Sequence, residues 1–345
     1  MSPPRKRIET SSGAVPRLAS STGSMSVLRS IFLYLSKARW ARRLIVAWSI
    51  SRTVARRFVA GETLDEAIQA VRKLNATGLN ATLDHLGESV TTQAEAVRSA
   101  DDYLAIISRI CESGIRSNAS LKLSQLGLNV SYELCLENVR RVVRRAAECG
   151  LFIRIDMEDT PTVDRTIELW RTLRKEGLAN VGMVFQSYLY RSENDMGAVL
   201  AEGCRIRLCK GAYKEPPHLA YPRKADVDTS YDHLVRLMID SARSAGAETV
   251  SSDGRVPPVT AVATHDAKRI SAARAYAEHI GFPKQAVEFQ MLHGIRSDLQ
   301  RELAAAGYPV RVYVPYGTEW YPYFMRRLAE RPANVWFFVS NFFRR

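Results

Sequence analysis

From Gly61 onward, short β-rich apolar runs alternate with longer stretches in which apolar residues recur every three or four positions. Eight runs stand out: Ala81–Leu86, Ser120–Leu126, Phe152–Met157, Gly182–Tyr188, Arg205–Cys209, Val259–Thr264, Ala286–Leu292 and Val310–Val314. Among the stretches between them, the pattern predicts helices over Asn138–Cys149, Val163–Glu176, Tyr231–Ala245, Lys268–Ile280 and Ser297–Ala306. Most of these stop at a glycine, namely Gly150, Gly177, Gly246, Gly281 and Gly307, as helix ends often do. Such alternation builds parallel βα units. Eight units predict a closed (β/α)8 barrel of the TIM type rather than an open doubly wound sheet. No Gly-x-Gly-x-x-Gly follows the first run, so a dinucleotide-binding Rossmann domain has no support. The connection from Gly211 to Pro258 is long and begins as a Pro- and Tyr-rich loop, which suits a lid or a cofactor-binding insertion.

The segment before the barrel reads differently. Residues 1–24 are rich in Ser, Pro and Arg without apolar period and are expected to be a disordered basic leader; Met25 is an alternative start. Residues 25–78 are expected to form helices packed on the barrel, and residues 79–345 the catalytic barrel, with a C-terminal helix over its strand ends. Between Ser26 and Val59, apolar residues such as Leu28, Phe32, Leu35 and Trp48 are interspersed with arginines. The longest uncharged stretch there, Leu44 to Ser51, is too short to span a bilayer. A basic amphipathic helix of this kind either packs on the barrel or lies on an anionic membrane surface. The aromatic tail at residues 334–345 allows the same two readings.

Charge follows this division. The net +13 looks like a nucleic-acid signal until it is located. Residues 1–60 hold twelve Lys and Arg against one acid, Glu9, so that segment carries +11 and the remaining 285 residues only about +2. The barrel therefore has no polycationic excess for a phosphate backbone. Five cysteines without a C-x-x-C pair read as reduced thiols of a cytoplasmic protein, not as a disulfide framework or zinc site.

In (β/α)8 barrels the active site lies at the C-terminal ends of the strands. Polar residues gather there on nearly every run: Asp84 and His85; Lys122; Asp156, Glu158 and Asp159; Gln186; Arg207, Lys210 and Tyr213; Thr264, His265 and Asp266; Glu288, Gln290 and His293; Tyr313. Polar residues in strands are costly unless paired or used, so the ring points to an enzyme. Three chemistries compete for it. Metal hydrolysis would draw on His85, His265, His293 and Asp156, but no H-x-H or H-x-x-x-H spacing supports it. Schiff-base chemistry would need Lys122 or Lys210 with a depressed pKa. A flavin site would need cations and hydrogen-bonding groups of the type of Arg207, Gln186, Lys210 and His265. Composition alone does not choose. Asp266, Glu288 and His293 fit bracing of strand ends as well as function, Glu158 and Asp159 fit solvated loop acids, and Trp320, Tyr321 and Phe324 fit packing of a terminal helix.

The stretches KLSQLG (122–127), RIDMED (154–159), RLCKGAYKEP (207–216), ATHDAK (263–268), EFQMLHG (288–294) and YVPYGTEWYPYFMRRLAE (313–330) resemble the proline dehydrogenase family, as do RFVAGETLDEA (57–67) and LDHLGE (83–88). The resemblance runs from about residue 30 to the end. Its length is similar to that of the single-function bacterial branch. It implies oxidation of L-proline to Δ1-pyrroline-5-carboxylate, with hydride passing from Cδ to N5 of non-covalent FAD and electrons passing on to ubiquinone or menaquinone. It further implies a substrate pocket of Lys122, Asp156, Tyr213, Leu292, Tyr313, Tyr323, Arg326 and Arg327. Cofactor contacts are implied for Gln186, Arg207, Cys209, Lys210, Gly211, Thr264, His265 and Glu330. No residue is implied as a dedicated acid or base, and no metal. A cytoplasmic location follows, with peripheral contact to the inner face of the membrane as an option. One departure is Cys209, where larger relatives carry an aliphatic residue; a thiol is a small hydrophobe and changes little.

Overall fold

The computed structural model describes residues 56–87 and 89–330, with the side chains of residues 328–330 excepted. The expected leader, most of the amphipathic stretch before Val59, the aromatic tail, Glu88 of LDHLGE and the side chain of Glu330 therefore lie outside the described residues. Eight strands, β1 (Asn80–His85), β2 (Ser117–Lys122), β3 (Ile153–Asp156), β4 (Val181–Gln186), β5 (Ile206–Cys209), β6 (Thr260–Ala263), β7 (Val287–Leu292) and β8 (Val310–Tyr316), pair in sequence order and close into a parallel barrel. The helices are α1 (Leu64–Ala76), α2 (Gln93–Ser113), α3 (Tyr132–Glu148), α4 (Val163–Lys175), α5 (Ser192–Ala201), α6 (Lys224–Ser244), α7 (Ala267–His279), α8 (Ser297–Ala305) and α9 (Trp320–Glu330). The (β/α)8 expectation is met.

Local chemistry explains the boundaries. Thr63 with Glu66, and Thr92 with Glu95, form capping boxes that start α1 and α2 by satisfying otherwise orphaned N–H groups. Gly150 and Gly281, each just beyond a helix, adopt the left-handed backbone that only glycine takes without strain. Three elements differ from their sequence reading: helix α3, expected from Asn138, begins at Tyr132, where Ser131 caps it. The apolar run from Ser120 is a strand only to Lys122; Leu123 and Leu126 are buried instead in a hydrogen-bonded turn, so burial without strand pairing mimicked a longer strand. Helix α6 begins at Lys224, seven residues before the expected Tyr231, because its first two turns are mostly polar and offer only Ala225 and Val227 as apolar residues, too few for a period.

Strand register assigns the two faces. Leu83, Leu121, Ile153, Ile155, Leu208, Phe289 and Val312 are fully buried between barrel and helices and belong to one continuous apolar cluster. The alternate residues point into the barrel; on β1, β2, β3, β5, β7 and β8 most of them are polar, whereas β4 and β6 contribute the small or apolar Gly182, Val184, Ala261 and Ala263. Near the N-terminal end, Arg311 Nε pairs with Glu288 Oε1 at 2.9 Å, and its other nitrogens donate to the carbonyls of Ala81 and Gly254, both at 2.7 Å. Gln290 donates to the same carboxylate at 2.6 Å. Arg154 is also buried there, opposite Gly182, where a Cβ would lie 3.1 Å from the Arg154 guanidinium and 2.3 Å from the Arg205 carbonyl. Glu288 thus braces the barrel and lies away from the strand ends that carry the site. Buried pairs of this sort are costly to break from one side only. We expect Arg311→Met to destabilise the protein by about 3–5 kcal/mol, and Arg311→Met with Glu288→Met to recover much of that loss. Denaturant unfolding checks this; equal stability of single and double variants would refute it.

Candidate active site

At the C-terminal ends of the strands, side chains of β2, β5 and β8 converge on one carboxylate of β3. Asp156 ends β3 and lies almost wholly out of solvent. It accepts from Tyr313 of β8 at 2.7 Å, from Ser120 of β2, and from the guanidinium of Arg207 of β5. Lys122, at the end of β2, lies 3.6 Å from the same carboxylate and 2.9 Å from Asp84 of β1. The Arg207 guanidinium also stacks over the Tyr313 ring, 5.1 Å from its centroid. Period-two alternation explains the meeting: Asp84 pairs in register with Ser120, and Lys122, two residues beyond Ser120, with Asp156, so all four face inward.

Burial and charge compete at each group. Burial raises the Asp156 pKa, but Arg207 and Lys122 outweigh it and hold the carboxyl below its usual value. Burial alone would lower the Lys122 pKa, yet Asp84 and Asp156 push it well above the ordinary lysine range. Lys122 is therefore a fixed cation, the opposite of what Schiff-base chemistry needs, and that reading falls for it. Asp84 is pushed up by burial, despite Lys122. Among the described residues no group of His, Cys, Asp and Glu is arranged to hold a metal.

The remaining expected residues surround this hub. Gln186, at the end of β4, donates to the carbonyls of Met157 at 3.1 Å and Glu158 at 2.8 Å, while its own buried Oε1 accepts from nothing in the described residues. Gly211 has φ +117, and a Cβ on it would meet the Tyr188 ring at 2.3 Å. Cys209 donates to the Phe185 carbonyl at 3.4 Å, and burial pushes its thiol up to about 11, so it stays protonated. Lys210 lies between Asp228 at 2.5 Å and Asp266 at 2.8 Å. Thr264 is buried and accepts from the Asp266 N–H at 3.1 Å, and His265 Nε2 accepts from the Leu292 N–H at 2.9 Å, which ties the ends of β6 and β7. Tyr213 is 41% exposed, in electrostatic reach of Glu158, Lys122 and Arg326. In α9, Arg326 is exposed, whereas Arg327 is half-buried and stacks on Tyr323, four residues earlier, at 5.1 Å. The two arginines thus present different faces, as neighbours on a helix must.

Other expectations divide. Trp320, Tyr321 and Phe324 are buried and pack α9: Trp320 donates to Glu62 at 3.2 Å and Phe324 meets Phe58 at 6.2 Å. Asp159 is exposed, as expected of a loop acid, but Glu158 is not solvated; it accepts from the Ser124 N–H at 2.9 Å and hydroxyl at 2.5 Å. His85 stacks on Tyr316 at 5.2 Å. Ser120 and Asp228 were invisible as site residues, the first lying inside an apolar run and the second in a polar helix turn that reads as solvated.

Fold and site together define a (β/α)8-barrel enzyme whose strand ends hold a cluster of charged side chains organised by one buried carboxylate. The comparisons give the family. The family model described as Proline dehydrogenase matches residues 67–340. The chain is 39% identical over 315 residues to "Proline dehydrogenase 1" of Bacillus subtilis, covering 91% of this chain and 99% of that one. It is 44% identical over 292 residues to "Proline dehydrogenase" of Deinococcus radiodurans, covering 84% and 89%. A solved structure of proline utilization A from Bdellovibrio bacteriovorus, inactivated by N-propargylglycine, shares the fold with a TM-score of 0.74 at 22% identity, over 90% of this chain and 37% of that one. The chain belongs to the proline dehydrogenase family, and it is an enzyme of that class.

Glu158 supplies a test of the site's electrostatics. Burial, the largest influence, raises its pKa against the opposing Ser124 bonds. A carboxyl raised on folding contributes stability below its unfolded pKa and loses it as pH rises through the folded value. Glu158→Gln stays neutral, so its stability relative to wild type should increase from about pH 4 to about pH 8. Urea midpoints at both pH values measure this, and a constant difference would contradict it.

Proposed function

We propose that this site oxidises L-proline to Δ1-pyrroline-5-carboxylate, with non-covalent FAD as the resident cofactor and ubiquinone or menaquinone as the final electron acceptor. The observation that carries the reading is the unpartnered, buried Oε1 of Gln186 at the rim of a cationic ring. An acceptor placed there suits an N–H on the pyrimidine edge of a flavin. Gly211 allows backbone to approach that space closely, and Arg207, Lys210, Thr264 and His265 line the adjoining strand ends. The side chain of Glu330, the remaining expected contact, lies outside the described residues. A bound flavin supplies the hydride acceptor.

The chain's own residues then hold and shield the amino acid. Lys122 is a permanent cation and Arg326 an exposed guanidinium on the covering helix, two donors suited to a carboxylate from different directions. Arg327, fixed against Tyr323, closes the side of the pocket. Tyr213, Leu292, Tyr313 and Tyr323 wall the ring, which keeps water away and fixes the reacting carbon. Asp156 keeps Arg207, Lys122 and Tyr313 in place rather than touching the reacting atoms. The substrate amine must lose a proton before hydride departs, so activity falls at low pH; no side chain is placed as a dedicated base, and water takes that role. We extend the proposal to the chain's division into a leader at residues 1–24, helices at 25–78 and a barrel at 79–345, in a cytoplasmic protein touching the inner membrane face. Among the described residues no helix is long and apolar enough to cross a membrane.

The purified protein is expected to be yellow and to bleach on adding L-proline without oxygen. A colourless protein that FAD does not reconstitute ends the flavin reading. Arg326→Met should keep its flavin and weaken proline binding by about 1.5–3 kcal/mol, the worth of a charged hydrogen bond, read as a higher KM. Unchanged KM would remove Arg326 from the carboxylate site.

A further inference from the structure

Lys210 follows β5 directly, and its ammonium is held by carboxylates from two different helices. Asp228, in the second turn of α6, accepts through Oδ1 at 2.5 Å; Asp266, the N-cap of α7, accepts through Oδ2 at 2.8 Å. Both acids are themselves fixed. Asp228 binds Lys224 through its other oxygen and has Arg269 at 3.9 Å, while Asp266 accepts from the Lys268 N–H at 3.1 Å. Arg269 in turn pairs with Asp232 at 3.0 Å. All three principal side chains are no more than about a quarter exposed.

Two consequences follow from this arrangement. An ammonium has three N–H donors on a tetrahedral nitrogen. Two are committed to fixed acceptors, so the direction of the third is set. The formal charges also cancel, because Lys210, Lys224 and Arg269 face Asp228, Asp232 and Asp266. A lysine so neutralised attracts an anion weakly at long range, and its value lies in where its remaining donor points.

We propose that Asp228 and Asp266 are positioning residues that clamp Lys210 so that its third N–H is presented to the phosphate or ribityl oxygens of the flavin nucleotide. The proposal rests on the flavin reading above. It assigns a role to Asp228, a residue on a helix that otherwise covers the outside of the barrel. It also gives Asp266 two duties, capping α7 and orienting the lysine.

The clamp and a plain charge effect differ in sign. Removing a carboxylate makes the surroundings more positive, so if net charge governed, Asp228→Asn would hold an anionic cofactor more tightly. If orientation governs, the same isosteric change loosens it, because Lys210 regains rotamers that point elsewhere. The experiment dilutes full-length holoenzyme and follows flavin release by the rise in its fluorescence. We expect Asp228→Asn to raise the flavin dissociation constant about tenfold at constant melting temperature of the flavin-free protein. KM for proline at saturating FAD should stay at the wild-type value. In a Lys210→Met background, adding Asp228→Asn should change nothing further, since there is no ammonium left to aim. Tighter or unaltered flavin binding by Asp228→Asn overturns the clamp while leaving the flavin reading intact, and so does an undiminished effect in the Lys210→Met background. A wild-type chain that takes up no flavin overturns both.

Discussion

A charge brought inside a barrel must be compensated there, by an opposite charge or, as for Arg154, by backbone carbonyls, and this protein brings in several. Asp156 answers that constraint at the strand ends by collecting Arg207, Lys122, Tyr313 and Ser120 from β5, β8 and β2 around one carboxylate. Glu288 answers it at the other end by pairing with Arg311. Between them the interior becomes a polar column instead of the stacked aliphatic layers that fill many such barrels. The apolar core is displaced outward, to the shell between strands and helices, where residues such as Leu83, Ile155, Leu208 and Phe289 are fully buried. Stability therefore comes from the shell and geometry at the site from the column.

This division made much of the site legible. A residue that breaks an apolar run with a charged or hydrogen-bonding group, on the phase that faces inward, has few structural reasons to be there; Lys122, Asp156 and Arg207 carried that mark by charge and Tyr313 by its hydroxyl. Glycine stops fixed the helix ends, and the strand count fixed the closure. What stayed hidden shares a different property. Asp228 sits in a largely polar helix turn where an i,i+4 pair with Lys224 looks like an ordinary surface pair, and only the tertiary meeting of α6 with the end of β5 brings it to Lys210. Glu158 resembled a loop acid because the Ser124 donors that hold it come from a turn that looked like strand. Pairing across distant segments leaves no periodicity to read. The division of labour between Arg326 and Arg327 was half visible: helical geometry demanded different faces, but only the contact with Tyr323 says which one is anchored.

Electrostatically the pocket is prepared rather than responsive. Lys122 and Arg207 are held as cations by neighbouring carboxylates against the effect of burial, and the Tyr313 hydroxyl and Cys209 thiol are held neutral by burial. None of these groups is set to exchange protons near neutral pH. Such a site binds, orients and excludes water, and leaves bond-making to what it binds. This agrees with the proposed flavin reading, in which the cofactor and not a side chain performs the redox chemistry.

The seam between β1 and β8 carries six paired positions, more than the other strand pairs, and joins parts of the chain some 230 residues apart, as the bond from Arg311 to the Ala81 carbonyl shows. A chain still emerging from the ribosome has β1 long before it has β8. Until then one sheet edge is open, and the Asp156 hub lacks Tyr313. Contacts of such long range make closure a late and slow step in folding. The charged hub at the strand ends and the sealing of that edge are thus completed by the same strand.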